Sequence, residues 1–278
     1  MKKVSFSTII DKVSELVVRT SRVIPGEVSR AIRDRLGEER SPMARKYLEI
    51  ILENIRIAET GGLPVCQDTG LSVFFVRYGS DVTVDTGSYP DLSGVINEGL
   101  ARGSRRGYLR NSVVDPIDRK NTGNNAPGII HVIPGGRDEF EIMLLAKGFG
   151  SENTSSLRML SPTAGREGIE SFILETVSGA GSRPCPPVFV GVGIGGSFEK
   201  AAILSKMALC RMGEVSEHRQ WESEILKKIN GMNIGAGGFG GDATALDLRI
   251  ETFPTHIAGL PVAVNISCWA HRFGSVKF

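Results

Sequence analysis

The 278-residue sequence has no surplus of charge of either sign: 33 Lys and Arg face 31 Asp and Glu, a formal charge of +2. That balance excludes the basic stripe expected of a protein that binds nucleic acid or an anionic membrane surface. The nearest approach to one, Ser104-Arg105-Arg106-Gly107-Tyr108-Leu109-Arg110, is short and reads as a solvated helix end or a site for a small anion. Long apolar runs are also missing. Nothing approaches the roughly 18 residues of a membrane span. Asp11 and Lys12 interrupt the N-terminal stretch before it could form the apolar core of a signal peptide. A soluble, cytoplasmic protein is expected. Cysteine is scarce: Cys66, Cys185, Cys210 and Cys268 lie far apart, with no CxxC and no HxxxH pair. In a reducing compartment such cysteines are more often buried, catalytic or metal-binding than disulfide-bonded. The missing pairs make a zinc site less natural. No internal repeat or low-complexity linker divides the chain.

What is present is enough apolar residue, 41%, to bury a sizeable core. Ile9, Ile10, Val13, Leu16 and Val17 follow the spacing of an amphipathic helix. Glu27 to Leu36 predicts a second helix. Pro42 to Ala58 predicts a third, started by Ser41, stopped by Gly61-Gly62, with Tyr47, Ile50, Ile51, Ile55 and Ile57 as its apolar face. Beyond residue 60 the texture changes to strands and glycine-rich turns. Strands are expected at 71–77, 128–133, 139–147, 187–192, 246–253 and 260–267, and helices at 164–177, 197–212 and 217–229. The fold class is α+β: a helical N-terminal subregion over about 1–60, then a mixed or antiparallel sheet with packed helices and glycine-rich loops, all as one domain over 1–278.

Cys66, Cys185 and Cys268 fall in predicted loops or strand ends, whereas Cys210 follows Met207-Ala208-Leu209 on a predicted helix as a small buried hydrophobe. Three loop cysteines from three segments suggest a metal site. Four thiolates close an iron–sulfur cluster, and three leave one iron open to water or substrate, where a hydroxyl or carboxylate can be polarised. Three unrelated buried thiols are the plainer alternative. Asp68, two positions from Cys66, is close enough to act on a substrate bound at such a metal. His256, in a turn before an apolar strand, is either structural or able to protonate a substrate. His131, within a strand, reads as structural. Lys147-Gly148-Phe149-Gly150-Ser151-Glu152-Asn153 follows a strand and offers backbone N–H groups to a carboxylate or phosphate, though a plain turn fits equally. Gly191-Val-Gly-Ile-Gly-Gly196 looks like a nucleotide loop. The acidic residues about twenty positions on, Glu214 and Glu217, lie between predicted helices, so close packing of a helix on its strand is the better account.

Cys66-Gln67-Asp68-Thr69-Gly70, Asn121-Thr122-Gly123-Asn124-Asn125-Ala126-Pro127, Lys147 to Asn153, Cys185-Pro186-Pro187, and Thr255-His256 with Leu260-Pro261 together resemble class I fumarate hydratases. More narrowly, the chain is similar to the alpha subunits of two-subunit fumarases and L-tartrate dehydratases, with the motifs in order from residue 66 to 272. The resemblance implies that Cys66, Cys185 and Cys268 hold a [4Fe–4S] cluster whose open iron binds the substrate hydroxyl and carboxylate. It also implies that Gln67, Arg110, Gly148 and Gly150 bind substrate and that Asp68 and His256 are catalytic. Phe149 stands where such proteins often have a third glycine. In single-chain relatives a C-terminal domain supplies further arginine, lysine and a threonine base. This chain stops before it, so the resemblance implies a separate beta subunit in a heterodimer or heterotetramer. The expected reaction is reversible hydration of fumarate to L-malate, as in the tricarboxylic acid cycle. Dehydration of L-tartrate to oxaloacetate, or of a related diacid, is the alternative. A non-catalytic module of the same fold would be marked by loss of a ligand cysteine or of Asp68, and neither is lost.

Overall fold

A computed structural model describes residues 2–278. The elements run β1 (Lys2–Ser5), α1 (Phe6–Arg22), α2 (Gly26–Glu38), α3 (Pro42–Gly61), β2 (Leu71–Tyr78) and β3 (Val82–Asp85). They continue through α4 (Leu92–Arg106), β4 (Ile129–Pro134), β5 (Phe140–Lys147), α5 (Phe149–Glu152), β6 (Ser156–Leu160) and α6 (Gly165–Ala180). The last are β7 (Val188–Gly195), α7 (Phe198–Leu209), α8 (Arg219–Asn230), β8 (Ala245–Phe253), β9 (Leu260–Ser267) and β10 (Arg272–Lys277). The class is α+β, as expected, and the helical first sixty residues begin after a four-residue strand. Among the described residues, no helix is long and apolar enough to cross a membrane.

Two compact units share the chain, each assembled from separated stretches. The first comprises residues 2–25, 55–148 and 272–278. Its mixed sheet has the order β10-β5-β2-β4, with β2 parallel to β4 and antiparallel to β5. Phe74, Val76, Ile142 and Leu144 on one face meet Ile9, Val13 and Leu16 of α1 and Val95, Ile96 and Leu100 of α4. Helix α4 has weak helical propensity because Gly94, Gly99 and Gly103 interrupt it. The last two let α1 approach: a Cβ on Gly99 would stand 2.7 Å from Val13 Cβ, and one on Gly103 2.7 Å from Val17 Cβ.

The second unit comprises residues 26–54 and 149–271. Its mixed sheet runs β6-β9-β7-β8, with β7 parallel to β8 and antiparallel to β9. Its core joins Val188, Val190 and Val192 to Phe172 and Ile173 of α6 and to Ile225 and Ile229 of α8. Within the glycine run, residues 191–195 are strand, not nucleotide loop. A Cβ on Gly193 would stand 2.0 Å from the Ala201 carbonyl, and one on Gly191 2.2 Å from that of Ser205, so α7 rests directly on the β7 backbone. Gly193→Ala should therefore destabilise by about 2–3 kcal/mol through overpacking and lower Tm in calorimetry. Gly179→Ala, at an exposed helical site with nothing within 4 Å, should raise Tm slightly.

The apolar face of α3 differs from expectation. Ile50 and Ile57 are 54% and 46% exposed, and the buried positions are Ala44, Leu48, Ile51, Ile55 and Ala58. That 4-3-4-3 spacing is the true stripe; the isoleucines beside it lie off its axis. The Ser41 start is right, since its hydroxyl accepts from Ala44 N at 3.4 Å.

Candidate active site

Cys66, Gln67 and Asp68 sit on the loop between α3 and β2, in the first unit. The loop is held at both ends through its backbone. Val65 is buried and its N–H donates to the Ser21 carbonyl at 2.9 Å. Gly70 takes φ +75° where a Cβ would stand 2.7 Å from the Lys147 carbonyl, so only glycine closes the loop. Within it, Gly70 N–H donates to Asp68 Oδ1 at 2.9 Å. From the other side, Arg272 Nη2 donates to the Asp68 carbonyl at 2.7 Å. Arg272 is 2% exposed, so a buried guanidinium braces this loop.

Arg110 lies on the exposed loop after α4, and that loop is bolted to the first. Thr69 Oγ1 donates to the Arg110 carbonyl at 2.5 Å and pairs with Ser112 Oγ at 3.0 Å. Asn125, buried and at φ +61°, bonds both ways: its Nδ2 donates to the Arg110 carbonyl at 3.1 Å and its Oδ1 accepts from Ser112 N at 2.7 Å. Asn111 Nδ2 donates to the Gly123 carbonyl at 2.9 Å and Asn121 Nδ2 to the Asn111 carbonyl at 3.0 Å. The Asn121–Pro127 motif is thus the scaffold of the Arg110 loop. A thiol, a carboxylate and a guanidinium are carried on two loops joined by hydrogen bonds.

Gly148 ends the first unit, and Gly150, Cys185, His256 and Cys268 belong to the second. Residues 149–152 form one helical turn, so the amides of Asn153, Thr154 and Ser155 are spent on carbonyls within it. Gly150 has nothing within 4 Å of where a Cβ would stand, so close packing does not require a glycine there. Glu152 anchors the turn through Lys206 Nζ and, at 3.2 Å, Asn265 Nδ2.

Cys185 is exposed, at φ +55°, and its carbonyl accepts from Trp269 N at 3.5 Å, which joins the Cys185 loop to that of Cys268. His271 secures the Cys268 loop from beneath: fully buried, it lies 2.8 Å from the Leu209 carbonyl and 3.0 Å from Ser267 Oγ. Tyr47 of α3 is half-buried. Burial first, then the Cys185 and Cys268 thiols, push its hydroxyl above the ordinary tyrosine value. Cys210 is the exception among the cysteines, since burial pushes its thiol far up and leaves it neutral. His256 stands on an exposed turn, where its Nδ1 accepts from Ala258 N at 3.2 Å. The neutral ring then carries its proton on Nε2. His131 stacks on Phe75 with centroids 5.4 Å apart, a structural role as expected.

The fumarate hydratase (Fumerase) family model matches residues 10–277. The chain belongs to this family. A Methanocaldococcus jannaschii protein named, provisionally, L(+)-tartrate dehydratase subunit alpha is 41% identical, over 94% of this chain and 95% of its own. The L(+)-tartrate dehydratase subunit alpha of Escherichia coli (strain K12) is 30% identical over 96% and 91%. That of Shigella boydii serotype 4 is also 30% identical over the same shares. Fumarate hydratases and tartrate dehydratases are hydro-lyases, so the family chemistry is addition or removal of water.

The residues present suit an iron–sulfur cluster in their donor chemistry. Of the four free cysteines, the three outside the core are those on loops, and soft thiolates favour such clusters. Among the described residues, no three Cys, His, Asp or Glu side chains could hold a single ion. A cluster offers each thiolate a separate iron, so its ligands need not converge on one point. Thr69, Asn125 and Arg272 had no role of their own in the sequence reading, and Tyr47 had only a place on the apolar face of α3. The first two lay inside quoted motifs, and a Thr or Asn in a glycine-rich loop is the available signal for them.

Proposed function

We propose that this chain is the cluster-carrying alpha subunit of a two-subunit hydro-lyase acting on a four-carbon dicarboxylic acid, with fumarate and L-malate as its substrate pair. The observation that carries the reading is the Thr69–Arg110 hydrogen bond, which unites the loop of Cys66 and Asp68 with that of Arg110. Dehydrating a 2-hydroxy diacid requires loss of a weakly acidic C3 proton and expulsion of hydroxide from C2. A [4Fe–4S] cluster on Cys66, Cys185 and Cys268 would supply Lewis-acid assistance to the departing hydroxyl. Asp68 handles the proton on that hydroxyl, its carboxylate oriented by Gly70 N–H. His256, with Nε2 protonated, positions or protonates substrate. Arg110 pairs with one substrate carboxylate, a charge-assisted bond of about 1.5–3 kcal/mol, and Gln67, Gly148 and Gly150 complete the substrate surface. A dianion needs a cation at each end and a base for the carbon proton. Those further groups are assigned to a beta subunit, a division supported by the alpha-subunit names of the relatives.

L-tartrate is the second reading, favoured by those same names. Anaerobic reconstitution with iron and sulfide, with and without the beta subunit, tests both. Turnover is expected only from the pair, and the ratio of kcat/KM for L-malate and L-tartrate decides the substrate. Full activity of the chain alone would overturn the division of the site. An iron-replete pair inert toward both diacids would overturn the substrate class.

A further inference from the structure

The four-stranded sheet of the first unit ends in two unlike edges. At one edge, β10 carries Arg272 and Lys277, and α1 engages its backbone. Arg19 Nη2 donates to the Ser275 carbonyl at 2.9 Å and Lys12 Nζ to the Lys277 carbonyl at 2.8 Å. Charged side chains and a covering element are the usual means of keeping an edge strand from pairing with another chain.

The other edge is β4, Ile129-Ile130-His131-Val132-Ile133-Pro134. It pairs in parallel with β2 on its inner side, and among the described residues no strand pairs with its outer side. Its make-up is that of a core strand, with Ile129, Ile130, Val132 and Ile133 all β-branched and apolar. Yet none of its residues is buried, and Ile129 and Val132 are 40% and 60% exposed. The devices that guard β10 are absent from this strand. Residues 121–136 contain no Asp, Glu, Lys or Arg. The first charge beyond them, Arg137, is drawn to Asp81 at 3.0 Å.

A strand presented in this way is completed by another strand, which pairs with its backbone in the plane of the sheet and adds apolar side chains above and below. The strand that fits best in charge is β4 itself, since a strand bearing Lys or Glu would find no counter-charge along 121–136. A two-fold axis perpendicular to the sheet lays two copies antiparallel and joins side chains of the same face. Ile130 and Val132 then meet apolar side chains on one face, and Ile129 and Ile133 do so on the other, with no like charges opposed.

We propose that this chain forms a symmetric dimer through β4, which joins two four-stranded sheets into one continuous sheet. The pairing depends on neither the cluster nor the diacid, so it stands or falls apart from the function proposed above. In an enzyme with a separate beta subunit it selects a heterotetramer over a heterodimer. Contact through one short strand is small for an interface, so the dimer should dissociate on dilution.

Sedimentation velocity of the full chain, alone and with the beta subunit, tests this together with amide hydrogen exchange. The wild-type chain should shift from monomer to dimer as its concentration rises, and exchange along β4 should slow in step. Val132→Lys places a charge at an exposed position, so Tm should hold while the dimer is lost. Val132→Thr keeps a neutral β-branched residue and should retain the dimer. A monomer at every concentration would overturn the proposal, as would a dimer that survives Val132→Lys. Slowing of exchange along β4 only when the beta subunit is added would overturn it in favour of a strand from that subunit.

Discussion

Anaerobically purified Cys66→Ser should contain no iron or acid-labile sulfide, where the wild-type chain should hold about four of each, and it should turn over neither diacid. A serine hydroxyl at this position is a hard, neutral donor in place of a soft thiolate, and two remaining thiolates do not retain a cubane against exchange with solvent. The fold should not suffer. The Cys66 loop is anchored through Val65 N–H and the close pass of Gly70 at Lys147, neither of which involves sulfur. Circular dichroism and Tm should therefore match the wild-type apoprotein. Cys210→Ala is the control, because that thiol is buried and held neutral, and it should keep its iron. Iron retained in Cys66→Ser would remove Cys66 from the ligand set. Iron lost in Cys210→Ala would return the buried cysteine to it.

Asp68→Asn should lower kcat by about 10²–10⁴-fold, the usual share of a positioned acid–base group, with cluster content and Tm unchanged. The amide preserves the local structure for identifiable reasons. Its Oδ1 can still accept from Gly70 N–H, and the backbone carbonyl still receives Arg272. What is lost is the capacity to take and return a proton. Iron analysis, thermal melting and steady-state kinetics on one preparation distinguish the outcomes. Loss of iron on this change would make Asp68 a structural residue of the cluster loop, and undiminished kcat would remove it from the proton path.

Much of the fold was legible because local patterns and tertiary packing agree in it. Strand β9 occupies the expected 260–267, and the α1 stripe from Ile9 to Val17 is buried as its spacing requires. The elements that escaped the sequence are those whose stability comes from elsewhere. Helix α4 is rich in glycine, and α1 packs directly against two of those glycines, Gly99 and Gly103. Strand β10, with Arg272, Gly274 and Ser275, carries no strand pattern and is made a strand by pairing with β5. On α3 the count of isoleucines outweighed their angular position, so Ile50 and Ile57 were placed inside when they face out.

The sequence by itself determined the family, and with it the class of chemistry, through ordered motifs that run across the chain. It could do so because a motif is a string of residue types, which is visible without a structure. Only the tertiary structure decided how they are held. Arg272 reaches Asp68 and Asn125 braces Arg110 across separations of 204 and 15 residues. Hydrogen-bond partners so far apart in sequence, or joined through a folded-back loop, are set by the packing of elements and leave no periodicity to read.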